Sequence, residues 1–425
     1  MRAVAVIDGE HYASVVRDAL VELPYEIVAC VLVGGAEKLR GGEQYGVPLI
    51  ATLEGAIAEH APDVVLDLSD EPVLGPPARF RLAARALALG VPYEGADFRL
   101  DPPRYEAITT PSIAVIGTGK RVGKTAVTGH VARALAHGRK VVVVAMGRGG
   151  PPEPEVVEIR PTVADLLERS RAGRHAASDH LETAALTGLP TIGCRRCGGG
   201  LAGAVGVSNV LAGVRLADQL EPDLIVLDGS GAAIPPIAAD RRILVVGAHQ
   251  DAAVSTGYLN PYRALLADLV VVAMAEDGVE HGALARALAG LTRPGIPIVR
   301  TVLRPRPLED VRGRRIAFFG TAPAAQHSRI AAHLEDVYGT TVTQVSGSLS
   351  DRGTLRAELA RLDAEVVVIE VKAAAIDVVA EEAARLGIPT VLAGNDVVPL
   401  PGEPDLDLEL ERLAAEAISN AVVGV

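Results

Sequence analysis

The chain has 425 residues, of which 49% are hydrophobic and 3% aromatic, and a formal net charge of −12 at pH 7. That length suits about two or three domains with substantial cores. The acidic balance and scarce aromatics exclude nucleic acid as a main partner, and the apolar runs, short and broken by charges, exclude a membrane-spanning helix, which needs about 20 residues.

The chain opens with MRAVAVIDGEHY, a short strand-like run that meets Asp8 and Glu10 and has no long apolar leader. The expected compartment is therefore the cytoplasm. Three cysteines, Cys30, Cys194 and Cys197, are too few for a disulfide framework, which agrees. VAVID, IVACVLV and VVLDL predict buried strands. Asp8 and His11 follow the first of them, where open α/β sheets bind ligands, so both are candidate ligand contacts.

The segment Asp97–Ser112, rich in Pro, Thr and charge, predicts a boundary, with a small N-terminal α/β domain over residues 1–105. Residues 106–425 then carry a second domain, in which 301–425 either forms a sub-lobe or completes the same sheet. Strand runs continue through it: IAVIG, VVVVAM, LIVLDG, ILVVG, LVVVA, IPIVRTVL, RIAFFG, VVVIEV and PTVLAG. Their hydrophobicity is continuous rather than alternating, as in strands buried on both faces. Gly-x-Pro elements such as Gly295-Ile296-Pro297 and Gly387-Ile388-Pro389 stop helices before strands. The expected fold is α/β, a doubly wound parallel sheet.

Ile113–Leu135, IAVIGTGKRVGKTAVTGHVARAL, reads as strand, phosphate-holding loop and helix. Gly123-Lys124-Thr125 ends a Walker A motif. Its backbone N–H groups and helix N-terminus favour a polyphosphate, Lys124 reaches the β- and γ-phosphates, and Thr125 ligates Mg²⁺. Thr118 stands where the strict pattern has its first glycine, one position after Gly117. That spacing resembles the dethiobiotin-synthetase branch of P-loop NTPases. Gly117, Thr118, Gly119, Lys120, Val122, Gly123, Lys124, Thr125 and Ala126 are the expected nucleotide cradle. Lys120 and Arg121 add cations suited to a second anionic ligand.

Further along, AMGRGGPPEPE brings Arg148, whose fork suits phosphate or carboxylate, to a strand end. SDHLETAAL offers Asp179, His180 and Glu182 near a helix start, with His180 as the candidate base or phosphate ligand. GCRRCGGGLAG reads as a glycine-rich anion loop led by Arg195 and Arg196. Its single C-x-x-C pair is weak evidence for zinc. LIVLDGSGAAIPP ends a strand in Asp228, the Walker B position for Mg²⁺ and also a common turn initiator. VVVIEVKAAAID places Lys372 after a buried strand, aimed at a site. LAGNDVVP places Asn395 where it suits a purine edge, and the missing N-K-x-D guanine signature favours ATP.

In this order IDGEHY, VIGTGKRVGKT, AMGRGGPPEPE, SDHLETA, GCRRCGGG, LDGSGAAIPP and EVKAAAID closely resemble the cyclic 2,3-diphosphoglycerate synthetase family, over almost the whole chain. The resemblance implies ATP-dependent closure of 2,3-diphosphoglycerate to an intramolecular phosphoanhydride, with release of ADP and phosphate. It implies ATP and Mg²⁺ as cofactors, K⁺ as an optional further cation, and a homodimer. Lys124, Lys120, Arg121 and Arg148 are the candidate catalytic cations, and Thr125 and Asp228 the candidate metal ligands. Asp8, His11, Arg148, His180, Arg195, Arg196 and Lys372 are candidate contacts to the substrate. Two other classes use the same loop: a carboxylate-activating ligase, and a nucleotide-switched metal chaperone with Cys194 and Cys197 as ligands.

Overall fold

A computed structural model of the chain describes residues 1–35, 37–276 and 279–423. The first six strands are β1 (Arg2–Ile7), β2 (Glu26–Leu32), β3 (Leu49–Ile50), β4 (Val64–Asp67), β5 (Tyr93–Gly95) and β6 (Phe98–Leu100). They form one sheet in the order β3-β2-β1-β4-β5-β6, parallel except for the β5–β6 hairpin. Val4 and Val6 pack into one core and Ala5 and Ile7 into another, which is why VAVID is apolar at every position up to its aspartate. Helices α1 (Ala13–Glu22), α2 (Leu53–His60) and α3 (Pro76–Ala88) accompany this sheet. Chain order reverses at β1, so the loops after β1 and β4 flank a crevice.

The second sheet has thirteen strands. They are β7 (Ser112–Gly117), β8 (Val141–Gly147), β9 (Glu155–Val157), β10 (Thr191–Cys197), β11 (Val207–Ser208), β12 (Leu224–Asp228), β13 (Arg241–Gly247), β14 (Leu269–Ala273), β15 (Ile298–Pro307), β16 (Arg315–Phe319), β17 (Thr341–Ser346), β18 (Val366–Glu370) and β19 (Thr390–Pro399). Their order is β11-β10-β8-β12-β7-β13-β14-β15-β19-β18-β16-β17, with β9 on β10. Every residue of β7, β8, β12 and β14 is buried, matching their unbroken apolar runs.

β15 joins two halves of this sheet. Ile298–Arg300 pair in parallel with β14, while Thr301–Pro307 pair antiparallel with β19. Strands after residue 301 thus continue the same hydrogen-bonded sheet, running in the opposite sense. Helix α4 is Lys124–Leu135, and the next two helices, α5 (Val163–Arg171) and α6 (Asp179–Thr187), share a core with Phe319, Ile369 and Ile376 on one face of this later part. That packing carries the end of β18 toward α6.

The last helix, Leu406–Val423, returns to the first half of the sheet. Leu406, Leu410, Leu413, Ala414 and Ala417 are buried in the core that holds Val127 and Val131 of α4. Arg139 grips Glu411 with two hydrogen bonds, and Arg241 bonds Glu416. The segment between the two sheets is also docked. Glu106 bonds Pro236 through its backbone, and Tyr105 meets Tyr262 through hydroxyls 2.9 Å apart.

Candidate functional site

The phosphate loop sits between β7 and α4. Gly123, with φ of +85°, caps the helix, and a Cβ there would come within 3.1 Å of the Ala273 Cβ, so the turn requires glycine. Thr118, the departure from the strict motif, is held in place: its N–H donates to the Val245 carbonyl and its hydroxyl to Gln250 Oε1 at 2.5 Å. Gln250 follows β13, and no sequence pattern indicated its loop-holding role. Val122 is buried in the core beneath the loop, whereas Lys120 and Arg121 are exposed. Lys124 begins α4, followed by Thr125 and Ala126 in its first turn.

Lys124 donates a hydrogen bond to Asp228 Oδ1 at the end of β12, and the Thr128 hydroxyl donates to the same oxygen at 2.9 Å. Burial pushes the Asp228 carboxyl above its ordinary pKa, against the pull of Lys124. Both bonds engage Oδ1, and Oδ2 makes none among the described residues. The Thr125 hydroxyl likewise has no hydrogen bond there. These are hard oxygen donors facing a phosphate loop, and they fit Mg²⁺.

The cations converge beside this pair. A Cβ on Gly231 would lie 3.6 Å from Lys120 Cγ and 3.8 Å from Arg196 Nη2, so both side chains flank the loop after β12. Arg196 also donates to the Gly198 and Ser230 carbonyls, tying the glycine-rich loop after β10 to that turn. Burial and then the nearby Arg148 charge hold the Arg196 guanidinium below its ordinary pKa. Arg148 and Arg195 are exposed, and the Arg195 backbone N–H donates to Asn209 Oδ1 at 2.7 Å.

His180 is different. Its ring is 2% exposed and lies against Gly193, where any Cβ would approach it to about 2.5 Å. Its Nε2 is buried without a hydrogen bond, 3.7 Å from Glu155, and burial pushes its pKa down. A neutral, enclosed imidazole supports the loop from behind. Lys372 Nζ reaches back to α6 and donates to Glu182 Oε1 at 2.5 Å. Burial works against its charge, but Glu182, Glu370 and Asp179 outweigh it and raise the Lys372 pKa.

Asn395 donates to Glu370 Oε1, and its neighbour Asp396 bonds Arg133 in the last turn of α4. Asn395 therefore stands with the Glu370–Lys372 group, and the phosphate loop lies at the other end of α4. Asp8 and His11 bond each other at 2.8 Å, and Asp8 accepts the Asp70 N–H. Their hydrogen bonds among the described residues stay within the N-terminal unit. Cys194 is buried with its pKa pushed up to about 12, while Cys197 is exposed. Among the described residues no cluster of His, Cys, Asp and Glu is arranged to hold a metal ion. No helix there is long and apolar enough to cross a membrane.

A parallel α/β sheet whose first strand of the second unit feeds a Gly-Lys-Thr loop, with a strand-end aspartate beside it, defines a P-loop nucleotide-binding protein. Family models agree and go further. They match residues 2–101 as the N-terminal domain, 112–291 as the P-loop domain and 307–396 as the C-terminal domain of cyclic 2,3-diphosphoglycerate synthetase. The chain belongs to this family. A cyclic 2,3-diphosphoglycerate synthetase of Rubrobacter xylanophilus is 47% identical over 98% of this chain and 98% of its own. Those of Thermococcus gammatolerans and Methanothermus fervidus are 45% and 38% identical, covering 94% and 93% of this chain and 94% and 92% of theirs.

Proposed function

We propose that this protein uses ATP to close 2,3-diphosphoglycerate into its cyclic phosphoanhydride, releasing ADP and phosphate. The observation that carries this reading beyond a plain nucleotidase is that Lys120 and Arg196 both border Gly231, in the turn that follows Asp228, the partner of Lys124. ATP hydrolysis needs Lys124; a second polyanion needs further cations next to it.

The chemistry balances in two steps. A substrate phosphate oxygen attacks the γ-phosphorus of ATP, the bond to the β-phosphate breaks, and ADP leaves. The substrate then carries a diphosphate, and its neighbouring phosphate attacks the inner phosphorus. The ring anhydride forms and the outer phosphate, derived from ATP, departs. Both reacting phosphates belong to one molecule, so positioning them counts for several kcal/mol by the effective-molarity argument, on the order of 7 at the lower end. Their mutual repulsion is offset by Lys124, Lys120, Arg121, Arg148, Arg195 and Arg196. Thr125 and Asp228 would hold Mg²⁺, which would supply Lewis-acid charge to the transferring phosphoryl group. Lys372, reaching the edge from the other half of the sheet, adds a cation toward the substrate.

Asp8 and His11 are the contacts that the N-terminal unit offers the substrate in this reading, and His180 serves it through Gly193. Asn395 serves through Glu370. A homodimer and assistance by K⁺ rest on the family resemblance alone, and a cytoplasmic location on the sparse cysteines.

The test is ³¹P NMR of the protein with ATP, Mg²⁺ and 2,3-diphosphoglycerate, beside Lys124→Ala. A cyclic diphosphate signal that appears with ADP and needs Lys124 supports the reading. ATP turnover with no substrate-derived product sinks it in favour of the other ligase chemistry. With γ-labelled ATP, label must appear in free phosphate; label in the cyclic product would overturn the order of steps.

A further inference from the structure

We propose that Asp179, at the first turn of α6, is a second carboxylate for the divalent cation held by Thr125 and Asp228. The inference rests on the ATP reading above. α6 begins at Asp179, and the N-cap Ser178 Oγ is buried with no hydrogen-bond partner. Asp179 itself makes no hydrogen bond and no ion pair among the described residues. Its Oδ2 stands 3.0 Å from where a Gly147 Cβ would be, at the end of β8. β8 neighbours β12, with Ala145 opposite Asp228, so both carboxylates lie at the same sheet edge.

The charge on Asp179 reaches Lys372 and Arg196, on two other elements that border the site. An unpaired carboxylate beside a phosphate loop repels the polyanions that the loop binds. That repulsion is removed when a divalent cation sits between carboxylate and phosphate. General-base chemistry does not account for it, since phosphate nucleophiles are already ionised near neutral pH and offer no proton that must be removed. Asp228 has Oδ1 committed to Lys124 and Thr128, so Oδ2 is what it can offer a cation. Asp179 has both oxygens available.

Gly147 supplies an independent way to move this carboxylate. It has an ordinary backbone conformation, so alanine there costs no φ strain, yet its methyl would press on Asp179 Oδ2.

The experiment measures Mn²⁺ binding to the full chain by electron paramagnetic resonance, with the non-hydrolysable analogue AMP-PNP present. Asp179→Asn is expected to weaken Mn²⁺ binding roughly 10- to 100-fold while AMP-PNP binding in EDTA, relieved of the carboxylate's repulsion, holds or tightens. Gly147→Ala is expected to weaken Mn²⁺ binding in the same direction, and it decides the matter if Asp179→Asn does not fold by circular dichroism. Mn²⁺ affinity that stays within about twofold of wild type in the folded variants overturns the role of Asp179 and leaves the ATP reading standing. A wild-type protein that binds AMP-PNP but no Mn²⁺, or neither, overturns the metal reading itself and this inference with it.

Discussion

Lys124 donates its ammonium to Oδ1 of Asp228, so the phosphate-binding lysine and the strand-end carboxylate neutralise each other. Side-chain exposures of 10% and 1% put this pair largely out of water. Nucleotide must exchange one partner of Lys124 for another, and the freed carboxylate is then left to a cation.

Asp228→Asn separates those roles. Lys124 loses its competitor, so AMP-PNP binding in EDTA should hold or tighten. Cyclisation should fall by about 10²–10³, the usual cost of losing one charge-stabilising group. Product formation within about tenfold of wild type by ³¹P NMR would contradict the role given to Asp228.

The Lys372–Glu182 contact joins β18's edge to α6 across 190 residues of sequence. Lys372→Ala would leave the Glu182 carboxylate, 9% exposed, without its cation. Losing one partner of a fully buried pair costs ~3–5 kcal/mol, and the 39% exposure of the Lys372 side chain lowers the expectation to about 1–3 kcal/mol. Denaturant melts of the single and double alanine variants measure this; strict additivity would show that the pair contributes no coupling.

Asp8 accepts hydrogen bonds from the Asp70 and Glu10 N–H groups and bonds His11. Burial raises its pKa, but those partners outweigh burial and bring it below the ordinary 3.8. A carboxyl with a depressed folded pKa contributes stability that is complete above 3.8 and is lost as pH falls through the folded value. The stability gap between wild type and Asp8→Asn should therefore be present at neutral pH and shrink below that point. A gap that stays constant down to strong acid would show that ionisation of Asp8 is not what the N-terminal unit uses.

Cys30 and Cys194 are buried, each with its thiol pKa pushed up to about 12, while Cys197 is exposed. Iodoacetamide on the native protein near neutral pH should label Cys197 and spare the other two, as read by mass spectrometry. Equal labelling of Cys194 and Cys197 would put both thiols at the surface, as a metal chaperone needs, and would reopen that alternative.

The parts legible in the chain are those built from neighbours in sequence. β7, the loop and α4 are consecutive, so glycine spacing, the apolar run and Lys124-Thr125 together specify them. Unbroken Val and Ile runs likewise mark strands buried on both faces, and the Asp at the end of LIVLD marks a sheet edge. Asn395 shows the limit of such reading. Its strand is evident, but its partner, Glu370, depends on which strand pairs beside it.

Sequence alone therefore determined the repeated strand–helix architecture, the phosphate loop and the family, since each rests on local pattern or on ordered motifs. Tertiary structure decided which charges meet. Lys120 and Arg196 flank Gly231, Asp179 stands at the end of β8, and Lys372 returns to α6 because β15 turns the later strands back in the opposite sense. These pairings cross long stretches of chain, where no periodicity or spacing carries the information, and only the packed sheet brings them within reach.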